Sequence, residues 1–148
     1  MQQPLVSPRG IDHLALRVRD LEASIAFYCG LLGCRIEARN EAAGLVHLRA
    51  GGQMLDLVWR EGRMGRTDRS SATAPGAEAA APNLHHFCLV CAPFDPAALS
   101  ARLDEAKIER SARPQTNLGA EGDGSSMYVL DPDGHLVELK FYPPSAAA

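Results

Sequence analysis

Ile11-Asp-His-Leu-Ala-Leu-Arg-Val18, followed by Asp20-Leu-Glu-Ala-Ser-Ile-Ala-Phe-Tyr-Cys-Gly-Leu-Leu-Gly33, is the stretch that decides the fold. Leu14, Leu16 and Val18 alternate with His13, Ala15 and Arg17, which is the period of a half-buried strand. Asp20 then offers an N-cap, and Leu21, Ile25, Tyr28 and Leu32 recur at helical spacing. Gly33, tolerant of positive φ, closes that helix. Three short strands are predicted after it, near Arg35–Arg39, Leu45–Arg49 and Met54–Trp59, with Gly51-Gly52 turning the last pair as a hairpin. The order is β-α-β-β-β.

The same order returns downstream. Leu84–Cys91 reads as a strand. Asp95 is an N-cap with Pro96 at the first helical position, and Phe94 and Leu99 are placed for a hydrophobic staple. Leu99, Leu103 and Ala106 share one helical face. A strand is predicted over Ile108–Ala112, then a polar, Gly-rich loop over Gln115–Ser125. Met127–Leu130, the turn Asp131-Pro-Asp-Gly134 and His135–Tyr142 complete the block. Between the blocks, Glu61–Pro82 is rich in Ala, Gly, Ser, Thr and Arg and has no apolar periodicity, the composition of a linker or flap. The expected organisation is a first βαβββ module over 9–60, a linker over 61–82 and a second module over 83–143. The expected class is α+β, with the paired modules forming a cupped mixed sheet and helices on its outer face.

Aligning the blocks sets His13-Leu-Ala-Leu against His86-Phe-Cys-Leu, and Gly51-Gly-Gln-Met-Leu-Asp56-Leu against Asp133-Gly-His-Leu-Val-Glu138-Leu. His13 therefore matches His86, and Asp56 matches Glu138. Leu55, Leu57 and Trp59, like Val137, Leu139 and Phe141, form one apolar face that should pack on the helices. Asp56 and Glu138 then point to the other face, and by parity so do His13 and His86. Two neutral imidazoles and two carboxylates suit Zn²⁺, Fe²⁺, Mn²⁺, Ni²⁺ or Co²⁺ and leave positions open for substrate. A lone strand histidine or carboxylate is usually structural; a matching pair placed twice is the feature that favours ligands. His85, the rival of His86, falls by parity on the packing face with Phe87.

The composition narrows the function. The chain has 148 residues, 46% of them hydrophobic, and a formal charge of −3, so it has core enough for one domain and no basic field for nucleic acid or anionic lipid. The first ten residues lack the apolar run of a signal peptide, and no stretch approaches a membrane span. A soluble, cytoplasmic protein is expected, with no nucleic-acid or membrane partner. Cys88 and Cys91 have CxxC spacing, but residues three apart on a strand face opposite sides, so core packing is the reading preferred to a shared metal. Cys29 and Cys34 add nothing to suggest a disulfide scaffold.

His13-Leu-Ala-Leu-Arg-Val-Arg-Asp-Leu-Glu-Ala-Ser-Ile-Ala-Phe-Tyr28 with Leu32-Gly33 resembles the opening of the vicinal oxygen chelate superfamily, and Tyr128-Val-Leu-Asp-Pro-Asp-Gly-His-Leu-Val-Glu138 resembles its closing strands. That superfamily includes glyoxalase I, fosfomycin-resistance thiol transferases, extradiol dioxygenases and bleomycin-resistance proteins. The resemblance implies metal ligation by His13, His86 and Glu138. It puts Asp56 where glyoxalase I carries a fourth ligand, a glutamate, and makes Glu138 the catalytic base with Asp56 its shortened partner. It implies a glyoxalase-type lyase or isomerase whose small-molecule substrate is chelated through vicinal oxygens, including thiol hemithioacetals, and a homodimer. A thiol transferase, a ring-cleaving dioxygenase and a metal-free binding protein are the alternatives. Ala15 stands where the fosfomycin transferases carry a Thr, the length is half that of most extradiol dioxygenases, and a metal-free binder has no need of these ligands. Arg17 and Lys140 could line the cup, and Arg39 or Arg49 its rim.

Overall fold

A computed structural model describes residue 8, residues 10–66 and residues 84–142. The chain divides into two compact units, Met1–Ser71 and Ala72–Ala148. Each holds a four-stranded mixed sheet and a short helix, the α+β paired-module plan.

In the first unit the elements are β1 (His13–Val18), α1 (Leu21–Ile25) running into a π-helical turn (Ala26–Leu31), β2 (Arg35–Asn40), β3 (Leu45–Ala50) and β4 (Gln53–Trp59). The sheet order is β1-β4-β3-β2, with β1 parallel to β4 and the other pairs antiparallel. Asp20 caps α1 as expected, its carboxylate accepting from the Glu22 and Ala23 amides at 3.0 and 3.1 Å. The helical pattern to Leu32 holds, but its second half is wider, with the Leu32 amide bonded to the Phe27 carbonyl. Phe27 and Tyr28, both in this widened turn, are buried in the core. Gly33 follows at φ +79°.

Register settles the two faces. Leu16 pairs with Leu57 and Leu55 with Leu48, and all four are buried beside Val18, Val46 and Tyr28. On the opposite face lie His13, Ala15 and Arg17 of β1, Met54 and Asp56 of β4, and His47 of β3.

The second unit contains β5 (Phe87–Val90), α2 (Pro96–Glu105), β6 (Gln115–Gly119), β7 (Gly122–Leu130) and β8 (Leu136–Phe141), in the sheet order β5-β8-β7-β6. Asp95 caps α2 by accepting from the Ala97 amide at 2.8 Å. Phe87, Met127, Val129, Val137 and Leu139 make the buried face, and Phe94 stacks edge-on against Phe141.

Three expectations change here. Ile108–Ala112 is not a strand: Arg110 makes a single bridge to Val129, its guanidinium turned instead to Asp104 at 2.7 and 2.9 Å, and Pro114 has no amide with which to extend a ladder. The predicted loop Gln115–Ser125 is a hairpin, and two of its glycines stand where Lys140 and Tyr142 press on it: a Cβ on Gly124 would lie 3.1 Å from Lys140 Cγ, and one on Gly119 3.2 Å from Lys140 Nζ. The first strand starts at Phe87 rather than Leu84, so His85 is exposed instead of packed with Phe87. Most of the linker lies outside the described residues; Glu61–Arg66 form turns.

The turn before β8 carries a pH-dependent contact. Buried Asp131 accepts from the Asp133 and His135 amides at 2.9 and 2.8 Å and from His135 Nδ1 at 2.9 Å. The Asp131 hydrogen bond raises the His135 pKa above 6.5; burial opposes this, and the charges of Asp131 and Asp133 add to it. A folded pKa above the unfolded one gives stability that is complete below pH 6.5 and lost as pH rises through the folded value. The stability difference between the parent and His135→Asn should therefore shrink on titrating from pH 6 to pH 9 in denaturant melts. A constant difference would show that the charged pair does not stabilise the turn.

Candidate metal centre

The two units present similar sets of polar groups, each on the sheet face away from its core. In the first, His13 opens β1, and Asp56 lies two pairing positions along β4 on the same face. His13 is exposed, and its Nδ1 is 2.8 Å from Asp12 Oδ1. A carboxylate only accepts, so Nδ1 carries the hydrogen and Nε2 is left free. That hydrogen bond, with the charges of Asp56 and Asp12, raises the His13 pKa against the opposing effect of burial. Asp56 is buried, and His47, directly across from it on β3, places Nδ1 2.7 Å from Asp56 Oδ1.

In the second unit, His86 Nε2 lies 3.2 Å from Glu138 Oε2. His86 Nδ1 is 2.8 Å from Nδ1 of exposed His85, so one ring donates and the other accepts. Glu138 is buried, and its other oxygen, Oε1, accepts from Ser126 Oγ at 2.5 Å and lies 3.4 Å from Lys140 Nζ. Burial alone would raise the Glu138 pKa, but the Ser126 hydroxyl, the Lys140 ammonium and the Asn117 amide outweigh it and hold the carboxyl below its ordinary range. Tyr128 stands opposite Glu138 in the β7–β8 register, accepts from Asn117 Nδ2 at 3.0 Å, and has its pKa raised by burial and by Glu138.

Of the four ligand-type residues read from the repeat, the second unit brings His86 and Glu138 together, and the first places His13 and Asp56 on one face. Among the described residues of either unit, no three His, Cys, Asp or Glu side chains gather as a ligand set. Lys140 does face this side, but it is only 3% exposed and donates to the Asn117 carbonyl at 2.7 Å, so it is a structural cation more than a lining residue. Arg17 is exposed on the His13 face. Arg39 and Arg49 are paired with Glu22 and Glu37, each at 3.3 Å. Cys88 is not core: it is exposed and pairs with Glu138 across the β5–β8 ladder, its thiol pushed up to about 11 by burial and by the neighbouring carboxylate. His47 and Tyr128 were missed. No local pattern marks either, since each owes its place, one ladder rung across from its unit's carboxylate, to strand register.

Residues 10–139 match the family model of the glyoxalase/bleomycin resistance protein/dioxygenase superfamily. The chain belongs to that superfamily. Among its relatives, the glutathione transferase FosA of Serratia marcescens is 30% identical over 131 residues, spanning 88% of this chain and 79% of that protein. The virulence protein STM3117 of Salmonella typhimurium is 29% identical over 134 residues, 89% of this chain and 83% of its own. Its crystal structure superposes with a TM-score of 0.66 at 26% identity, covering 93% of this chain and all of that one. The crystal structure of lactoylglutathione lyase from Agrobacterium tumefaciens gives a TM-score of 0.59 at 28% identity, covering 90% of this chain and 94% of that one. Superfamily proteins named for enzyme activities are thus among its neighbours. Among the described residues no helix is long and apolar enough to cross a membrane.

Proposed function

We propose that this chain is a small divalent-metal-dependent enzyme of the glyoxalase type, a lyase or isomerase acting on a substrate chelated through vicinal oxygens, such as a thiol hemithioacetal. His13, His86 and Glu138 hold the metal in this reading, and Asp56 contributes the fourth donor. The observation that carries it is the state of the donors. His13 has Nδ1 occupied by Asp12, which leaves Nε2 as the coordinating nitrogen, and His86 already turns Nε2 toward Glu138 Oε2 at 3.2 Å, so two of the donors meet. Glu138 is held ionised, the form a metal ligand needs. These residues fit a borderline cation such as Ni²⁺, Zn²⁺, Mn²⁺, Fe²⁺ or Co²⁺.

The bound metal would act as a Lewis acid on the paired substrate oxygens. Glu138 is the group that carries a proton between adjacent substrate carbons, and Ser126 and Lys140 fix its carboxylate for that task. Asp56, one methylene shorter, is its partner. The similarity to a protein named as a glutathione transferase supports a second reading, metal-dependent thiol transfer, on the same residues. We further propose that the protein is a cytoplasmic homodimer.

Chain purified without chelators should contain metal. After stripping, adding one of the five ions at about 100 times its Kd should stabilise it by about 2.7 kcal/mol, read as a rise in Tm. No bound metal and no rise with any of the five would sink the metal-dependent reading. Turnover of a methylglyoxal–glutathione adduct, against thiol addition to an epoxide, then separates the two reactions.

A further inference from the structure

His47 lies on the Asp56 face of the first unit, and the metal-dependent reading above gives it no role. It lies in the continuous β3–β4 register, so the backbone fixes its position across from Asp56. Its Nδ1 donates to Asp56 Oδ1 at 2.7 Å, and the contact is sheltered, with 29% of the imidazole and 12% of the carboxylate side chain exposed. A charge-assisted hydrogen bond of that length orients a carboxylate, and burial strengthens it.

The second unit divides its carboxylate the same way. Glu138 Oε1 is anchored by Ser126 and Lys140, while Oε2 is the oxygen turned to His86. The repeat therefore retains an anchored oxygen in both units and changes the anchor, from a hydroxyl and an ammonium to an imidazole.

We infer that His47 is a positioning residue for the metal: it holds Asp56 by Oδ1 and leaves Oδ2 as the single oxygen offered to the cation. This rests on the metal-dependent reading above. It also explains how an aspartate can serve where reach is short. Asp has fewer torsions than Glu with which to adjust its reach, and the His47 hydrogen bond fixes the rotamer it adopts.

The test is titration of the metal-free full chain with cobalt(II) chloride, followed by calorimetry and by the visible spectrum of the bound ion. His47→Phe should weaken binding by about 10–100-fold and shift the cobalt spectrum. His47→Asn, whose amide nitrogen reproduces the Nδ1 donor, should recover most of both. Asp56→Asn should lose at least as much, and adding His47→Phe to it should cost nothing further. Should His47→Phe fail to fold, His47→Gln serves instead, since its amide sits near Nε2 and misses Asp56; it should resemble Asp56→Asn rather than His47→Asn. Parent-like affinity in His47→Phe or His47→Gln with a weakened Asp56→Asn overturns the inference and leaves the metal reading intact. Independent losses from the two sites, or an unaffected Asp56→Asn, also overturn it. A parent chain that binds no cobalt, nor any of the other four ions, overturns both.

Discussion

Glu138→Gln should bind cobalt at least about a hundredfold more weakly than the parent and, with no metal present, lose roughly 2–3 kcal/mol of stability. The first loss follows from the proposed ligation, because an amide offers a cation no charge. The second has a separate cause. Lys140 is 3% exposed, and Glu138 is the anion beside its ammonium. Removing one member of a buried pair leaves the other charge uncompensated, although the Asn117 carbonyl still accepts from Nζ. The two effects separate in the double variant Glu138→Gln/Lys140→Met. With no buried ion left, it should regain most of the stability in denaturant melts of the metal-free chain and none of the cobalt affinity. Full cobalt affinity in Glu138→Gln would remove that carboxylate from the site.

The other large effect lies in the first unit. Gly44 has φ +69°, and a Cβ there would come within 2.8 Å of the Gly62 Cα. That atom is backbone and cannot swing aside. The Gly44 carbonyl also accepts from the Trp59 amide at 2.8 Å, tying the start of β3 to the end of β4. Gly44→Ala should therefore cost about 2–4 kcal/mol, combining a left-handed backbone penalty of about 1–2 kcal/mol with displacement of the chain around Gly62. Gly51 is the control. Its φ is +62°, with nothing within 4 Å of the added Cβ, so Gly51→Ala should cost only the backbone part. Equal losses in the two variants would show that the Gly44–Gly62 contact contributes nothing.

How much was legible in the sequence depended on range. β1, both N-caps and the closing strands were readable because alternation and capping are local. The repeat made the His13–His86 and Asp56–Glu138 matches legible, since parity assigns a face without any knowledge of distance. His47 was not legible, because its importance comes from a cross-strand register that no local pattern encodes. The glycines of β6 and β7 were misread as a loop for the same reason. At Gly119 and Gly124 the lack of a side chain makes room for Lys140 and Tyr142, which lie far along the chain. Arg110 was misplaced in a strand because its pairing with Asp104 competes with a ladder that Pro114 in any case ends.

The parallel pairing of β1 with β4, and of β5 with β8, has a consequence for biosynthesis. In each unit the first strand emerges from the ribosome long before the strand it must lie beside, and three other elements are made in between. Such a contact has high sequence separation and forms late in folding. The histidine and the carboxylate of a unit therefore come near each other only when its last strand has docked. On the proposed metal-dependent reading, a nascent chain would not capture an ion with half of a unit, and metal loading would follow folding rather than drive it.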